Sequence, residues 1–435
     1  MAFFLGEHAR IAREPSGSIG RAMVRCCLLS LLGFFSQVGM AAQPAISFDD
    51  AIRLAVQRAP ALDARRAQTL AAQEEARRAA ALPDPKLSLG LQDLPVTGAE
   101  AFDSSIDSFT MKKIGVTQQF PARAKRDARQ ALADRTIDQT TALTLSDELA
   151  VKRAAAQAWV SSWAAMREVE ALQSLREESM LAVGIAKARL RGGAGTAVDV
   201  LAAQAAVLEL ENRLETARAQ VESARAMLDR WLGENAGVAT DSPPDFTSLP
   251  TSEADLLASL DRQGPLLPWQ ARERVASAQV ELARAEKRPD WSVGVSYAQR
   301  NRYSDLVSVE FSIDLPIFPG NRQDRGIAAR QADYAATLDA HEDARRAQRV
   351  ELQTDLAQWA GFKHHVARDE GQLLPLAHDR SRIALAAYRG GGDLQPWLNA
   401  RRDEIETRIS YARMLGELGR AWSALAFLLP QERTP

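Results

Sequence analysis

The sequence predicts a mainly α-helical protein with a transmembrane β-barrel portion, internally repeated and working outside the cytoplasm. Three observations predict it. Two very long stretches, 122–191 and 323–389, are poor in helix breakers: the first holds no Pro and only Gly184, the second only Gly326, Gly361, Gly371 and Pro375. Four segments of about ten residues alternate apolar and polar side chains, the period and length of an outer-membrane strand. An apolar N-terminal run follows basic residues, as in an export signal.

Composition agrees with this and narrows the function classes. Hydrophobic residues make up 46% and charged residues 25% of the chain, so general disorder is excluded. Lys plus Arg number 54 against 56 Asp plus Glu, a net of −2, which leaves no electrostatic footprint for nucleic acid. Aromatic residues are few, while Ala, Arg, Glu, Leu and Gln are abundant, as in long helices and coiled coils.

The elements follow in order. Residues 1–41 are expected to be a signal peptide, with Arg21 and Arg25 as the basic region, 26–35 as the apolar run and Gly39-Met40-Ala41 as the cleavage site. The run is short for a membrane anchor, and Arg25 stands where a small residue should precede a lipid-modified Cys. Met23 is an alternative translation start. Cleavage after Ala41 removes both cysteines, Cys26 and Cys27, and no apolar run near 18 residues follows. Such a chain is periplasmic, secreted or a β-barrel.

What remains reads twice. Residues 42–235 run helix, two strands, long helix, Gly-rich tip, helix, and 269–430 repeat that order. Pro83-Asp84 matches Pro289-Asp290, Phe120-Pro121 matches Leu315-Pro316, and Arg191-Gly192-Gly193 matches Arg389-Gly390-Gly391, at offsets of 206, 195 and 198 residues. Between them, 236–268 reads as a connector, with Pro243, Pro244, Pro250, Pro265 and Pro268; residues 431–435 are a tail.

Seventy helical residues span about 105 Å, too long for an ordinary globular domain. A coiled coil or a tall helical wall is expected. After the first tip Val200, Val207, Leu214, Val221 and Leu228 recur every seven residues, with Ala203, Leu210, Ala217, Ala224 and Trp231 three further on, a seam with many small side chains. Tyr411, Leu415, Leu418, Trp422, Leu425 and Leu429 form a looser counterpart.

The strand segments are Leu87, Leu89 and Leu91; Trp291, Val293, Val295 and Tyr297; residues 306–315; and residues 109–120, whose phase changes at Lys112-Lys113 as at a bulge. Four strands cannot close a barrel, since the smallest have about eight. Several copies must therefore each contribute two hairpins, and the long helices would continue the barrel as a tunnel wall.

With these features the sequence resembles the TolC-like outer-membrane efflux factors over nearly its whole mature length. Residues 46–60, beginning Ile46-Ser47-Phe48-Asp49-Asp50-Ala51, look like the family's opening helix. Arg189-Leu190-Arg191-Gly192-Gly193 through Asp199-Val200-Leu201 looks like its first hairpin tip, and Tyr388-Arg389-Gly390-Gly391-Gly392-Asp393 its second. The second tip departs at Pro396-Trp397, where the family usually has an acidic and an aliphatic residue. Leu82-Pro83-Asp84-Pro85 and Met111-Lys112-Lys113-Ile114-Gly115 look closest to the heavy-metal branch, the partners of copper/silver or cobalt/zinc/cadmium pumps. The resemblance implies a homotrimer with one 12-stranded barrel and a twelve-helix periplasmic tunnel. It also implies a passive duct in the outer membrane, served by an inner-membrane resistance-nodulation-division pump, which is proton-driven, and a periplasmic adaptor docking at the tips. Drug or type I protein export through the same kind of duct, and a non-conducting periplasmic coiled-coil scaffold, are the alternatives.

No cofactor, catalytic group or metal site is expected. No Gly-rich run precedes Lys-Ser/Thr in a strand-to-helix setting, and no Ser/His/Asp grouping converges in sequence. His341, His364, His365 and His378 lack the i, i+4 spacing of a helical metal pair, and Met111, Met166, Met180, Met227 and Met414 are scattered. The candidate gate is the tips: Asp393 and Arg389, Asp199 and Arg191, with Gly193 and Gly391 supplying backbone freedom. Asp199 is also placed to serve its own helix start, while Arg389 and Asp393 are expected to hold a resting mouth closed. A second candidate is the basic cluster Arg123, Lys125, Arg126 and Arg129, with Arg322 and Arg325 in the second repeat. Positive charge at a helix start opposes the macrodipole, so these residues are expected to meet outer-membrane lipid phosphates.

Overall fold

The computed structural model describes residues 45–99, 101–233, 237–240 and 242–430; the expected signal segment and the tail lie outside them. Strand β1 (Ala45–Ile46) leads into α1 (Phe48–Arg58), whose N-cap Ser47 accepts the Asp50 N–H at 3.2 Å. The chain continues through α2 (Pro60–Ala79), β2 (Lys86–Gln92), β3 (Met111–Phe120), α3 (Arg123–Arg191) and α4 (Ala197–Leu232). Strand β4 (Val238–Ala239) pairs in parallel with β1, and α5 (Glu253–Ala258) follows. The same element order then recurs as α6 (Trp269–Ala285), β5 (Trp291–Arg300), β6 (Leu306–Ile313), α7 (Gln323–Arg368), α8 (Leu374–Arg389) and α9 (Leu394–Ala426). The protein is mainly helical with a small sheet.

Helix α3 has 69 residues and so runs about 104 Å. Its counterpart is interrupted: one π turn, Asp369–Leu373, separates α7 from α8. Pro375 explains the position. It offers no N–H and its ring crowds the carbonyl four residues back, that of Gly371, so the ladder widens there by one residue.

Two four-helix layers share α3. At the sheet end the packing order is α2–α3–α6–α7; at the far end it is α4–α3–α9–α8. The α4 heptads meet α3 through Ala203, Leu210, Leu214, Ala217, Ala224 and Leu228, all buried. Of the second seam, Leu418, Trp422 and Leu425 are buried. Close approach of α9 to α3 requires glycine: a Cβ on Gly416 would sit 2.8 Å from Ala164 Cβ, and one on Gly419 2.7 Å from Val160 Cγ1.

The largest core lies between the layers, and the Pro-rich segment is part of it rather than a simple connector. Phe246, Leu256, Leu260 and Leu266 are buried there. Three indoles fix this region by donating to its backbone: Trp159 to the Ile46 carbonyl (3.0 Å), Trp359 to Phe246 (2.9 Å) and Trp422 to Ser248 (2.6 Å). Prolines lower the cost of ordering a segment without helix or strand, so Pro content alone does not distinguish a packed crossing from a loose linker.

The sheet is antiparallel in the order β2–β3–β5–β6, with β2 and β6 as edges. Cross-strand rungs alternate in character. Leu87–Val116–Val295–Val309, Leu89–Ile114–Tyr297–Val307 and Gln118–Val293–Phe311 occupy one face. Ser88–Gly115–Ser296–Ser308, Lys86–Thr117–Gly294–Glu310 and Gln119–Ser292–Ser312 occupy the other. The expected bulge at Lys112-Lys113 is absent, because β3 pairs one-to-one on both sides throughout. The phase change has another cause. Lys112 stays on the apolar face opposite Leu91 and Gln299, at the rung where that face ends.

Candidate functional site

Both tips are built from helix-ending glycines. At the first, Gly193 takes φ 71°, its N–H donates to Leu190 O at 3.1 Å, and the Ala194 N–H donates to Arg189 O at 2.9 Å, closing α3 in a left-handed turn. Thr196 then starts α4 through a reciprocal capping box: its Oγ1 accepts the Asp199 N–H (3.2 Å), and the Asp199 carboxylate accepts the Thr196 N–H (3.0 Å). At the second tip, Gly391 at φ 109° closes α8, and Asp393 precedes α9 without making a side-chain cap bond.

The gate residues named from sequence are not the ones that join the tips. Within the protomer, no ion pair links Arg389 to Asp393 or Arg191 to Asp199 among the described residues, and Arg191, Arg389 and Asp393 are exposed. The capping box uses the Asp199 carboxylate. Arg189 makes the connection instead. Its guanidinium donates to the carbonyls of Tyr388 and Gly392 (the latter 3.1 Å) on one tip and of Ala194 (2.9 Å) on the other. It also lies 4.1 Å from the centre of the Tyr388 ring, which stacks in turn on Trp397 at 5.4 Å. Trp397 is buried with Ala182, Tyr388 and Leu394, which accounts for a large aromatic where the resembled family has an aliphatic residue. Pro396 costs nothing beside it, because the first N–H groups of a helix have no helical partner.

Above the tips sits a buried charge cluster that no single stretch of sequence displays. Glu404, 1% exposed, holds Arg401 (2.7 Å) and Arg408 (2.6 Å) from its own helix and His378 Nδ1 (3.1 Å) from α8. Arg401 also binds Glu178 of α3, so the cluster ties three helices. Burial by itself would raise the Glu404 carboxyl, but hydrogen bonds from His378 and Ser381 and the charges of Arg401 and Arg408 outweigh it and hold the group below its usual range.

At the other end of α3 the basic cluster divides. Lys125 is largely buried. It is 12% exposed and pairs at 3.0 Å with Asp290, itself 13% exposed. Asp290 also accepts the Ala122 N–H at 2.8 Å, so a carboxylate from the second repeat caps the start of α3. That answers the macrodipole conflict: the negative charge is present, but it comes from 168 residues away. Burial pushes the Asp290 carboxyl up, yet the Ala122 N–H, Lys125 and Arg129 prevail and keep it below the ordinary range. Arg126 is half-buried, with its Nε out of water. Arg123 pairs loosely with Asp127 at 3.6 Å. Arg322 and Arg325 are exposed, and nearby Asp324 pairs with Lys287.

The apolar face of the sheet is open. Leu89, Val307, Val309 and Phe311 are each about two-thirds or more exposed, and among the described residues both edges lack a strand partner. Aromatic side chains collect at its two ends: Phe120 stacks on Trp291 at 4.2 Å beside the helices, and Phe109 lies 6.5 Å from Tyr303 at the loop end. An apolar band between aromatic rims fits a bilayer. No described helix is long and apolar enough to cross a membrane. His341 pairs with Glu273 at 2.5 Å and His365 with Asp369 at 3.5 Å. Among the described residues no group of three or more His, Cys, Asp or Glu side chains is placed to hold a metal.

Residues 51–234 match the family model described as outer membrane efflux protein. No curated protein sequence matches the chain. Among solved structures, a membrane protein from Pseudomonas aeruginosa shares the fold with a TM-score of 0.74 at 16% identity, over 89% of this chain and 92% of that one. CusC, described through its folding and transmembrane channel formation, gives 0.73 at 14%, over 88% and 92%. The outer membrane protein VceC from Vibrio cholerae gives 0.69 at 17%, over 88% and 96%. Likeness of this kind fixes the fold and does not separate one branch of such channels from another.

The Glu404 cluster generates a pH prediction. A carboxyl held below its unfolded value of about 4.3 stabilises the fold fully above that pH, and the contribution is lost as pH falls through the lower, folded value. Glu404→Gln should therefore cost about 1–3 kcal/mol at pH 7 and flatten the acid limb of stability below about pH 4. Thermal unfolding of both proteins between pH 3 and 7 checks it; parallel acid limbs would show that the cluster carries no such coupling.

Proposed function

We propose that the chain is the outer-membrane duct of a tripartite efflux system, a passive exit that performs no chemistry. The observation that carries the reading is the four-stranded sheet, apolar on one face, unpaired at both edges and continuous with helices about 100 Å long. In a bilayer every backbone polar group needs a partner, so an open edge is tolerated only by closing the sheet. Edge β6 of one copy pairs with β2 of the next, and three copies give a closed barrel of twelve strands. Its small and polar face, with Ser88, Thr117, Ser296, Glu310 and Ser312, lines the lumen; Val309 and Phe311 face lipid.

Below the barrel the twelve helices of each layer form a tunnel through the periplasm. A periplasmic adaptor docks at the tips, and an inner-membrane resistance-nodulation-division pump supplies the proton-driven work. Arg123, Arg322 and Arg325 lie at the periplasmic lipid boundary and meet phosphate groups, whereas Lys125 serves Asp290. The delivered substrates are heavy-metal cations. That assignment rests on the segments around Leu82 and Met111, and it is tested by deleting the protein. The deletion strain should lose resistance to copper, silver, cobalt, zinc or cadmium salts while keeping its drug susceptibility; the opposite profile assigns the duct to drug export.

Two substitutions test the register and three test the gate. Phe311→Arg should cost assembly about 2–4 kcal/mol near the bilayer midplane, while Ser312→Arg is tolerated. The reverse order in a barrel-assembly assay would place the wrong face in lipid. Resting closure by the tips rests on Arg189 more than on Arg389 or Asp393, whose contribution is limited to exposed pairs between copies. Arg189→Ala should raise resting single-channel conductance in planar bilayers several-fold, with smaller rises for Arg389→Ala and Asp393→Ala. Equal effects of all three would return the gate to the exposed pair.

A further inference from the structure

We propose that α4 of one copy zips against α8 of the next through two apolar stripes, so that packing rather than ion pairing holds the seam between copies near the tips. This rests on the three-copy reading above and adds to it a specific surface. In the far layer, ordered α4–α3–α9–α8, the two end helices pack chiefly on one side, α4 on α3 with an ion pair reaching α9 (Arg213–Glu406, 2.7 Å) and α8 on α9. Each also carries an apolar stripe on the opposite side.

On α4 the stripe is Val198, Leu201, Ala205 and Leu208, spaced three, four and three, with Leu201 65% and Leu208 61% exposed. At 3.6 residues per turn, Leu201 lies about 160° around the helix from Ala203, which faces α3. On α8 the stripe is Leu376, Arg380, Ile383 and Ala387, with Leu376 67% and Ile383 66% exposed. Ile383 likewise lies about 160° from buried Ser381. Three-four spacing on a helix is the pattern of a seam that expects a partner helix.

The heights match. Arg189 binds Ala194 and Gly392 at once, so the two tips are level. Counting about 1.5 Å per residue from Thr196 and from Gly390, Leu201 stands about 7.5 Å and Ile383 about 10.5 Å above the tips. Leu208 and Leu376 stand at about 18 and 21 Å, and Ala205 and Arg380 at about 13.5 and 15 Å. The one charged member, Arg380, thus falls opposite the smallest side chain, and it already pairs with Asp403 at 2.7 Å on its own copy. Partners on the two stripes thus differ in height by only about 1.5–3 Å, within one helical turn. Above Leu208 the α4 stripe turns polar with Asn212 and Glu215, which confines the apolar zip to the tip region.

Disulfide trapping in native membranes tests the seam. In a full-length background with Cys26 and Cys27 replaced by Ser, Leu201→Cys combined with Ile383→Cys should yield, on mild oxidation, a reducible species of three times the monomer mass. Leu208→Cys with Leu376→Cys is the second pair, should the first fail to fold. Leu208→Cys with Ala387→Cys, about 13 Å apart in height, is the control and should stay monomeric on denaturing gels. Absence of cross-links in both matched pairs, in protein whose native mass is still a trimer, overturns the zip and leaves the duct reading standing. Equal cross-linking in the control overturns it too. A native mass of one chain overturns the three-copy reading and the zip together.

Discussion

The unpaired edges of β2 and β6 are the constraint on which the rest depends. Each is a row of backbone donors and acceptors beside side chains such as Leu89 and Val309 that are largely exposed. Water would satisfy the backbone but not the apolar face; lipid would satisfy the face but not the backbone. On the proposed reading, closure of the sheet with further copies satisfies both. Closure in turn sets the helices side by side, because only two residues separate α3 from β3 and nine separate α7 from β6. A ring of helices follows from a ring of strands.

What keeps such long helices in order is distributed unevenly along them. The middle is held by aromatic and aliphatic burial together with two indole hydrogen bonds to the segment around Phe246 and a third to Ile46. Near the tips the protomer relies on polar ties: the Glu404 cluster across three helices and Arg189 across the two turns. Burying ions costs desolvation and returns little net stability, but a hydrogen-bonded charge fixes register in a way that uniform Ala and Leu seams do not. Small, repetitive side chains let helices slide; Arg401 between Glu178 and Glu404 does not.

Local pattern made much of the fold legible in the sequence. The Pro-free run to Arg191, the alternation at Leu87-Leu89-Leu91 and the glycines at 192–193 and 390–392 each signal an element from adjacent residues. The site was less legible, because its contacts join residues far apart in the chain. Arg189 stood beside the Arg191 singled out, yet only the fold aims it at Gly392, 203 residues on. Lys125 looked like one more interfacial cation until Asp290 came to lie against it. The bulge expected at Lys112-Lys113 was a true change of pattern given the wrong cause, since a strand leaving its apolar band loses alternation without losing pairing. Pro content at 236–268 similarly signalled a break in helix but not the burial of Phe246 and Leu266.

The central claim is that the sheet closes only between copies, and the mass of the intact assembly tests it most directly. Extracted from outer membranes in a mild detergent and measured by native mass spectrometry, the protein should be a trimer. After proteolytic trimming of the exposed helices, its barrel strands should remain associated as a unit of twelve. A stable monomer that inserts into bilayers and conducts ions would contradict the account, because a single chain would then have satisfied both open edges by itself.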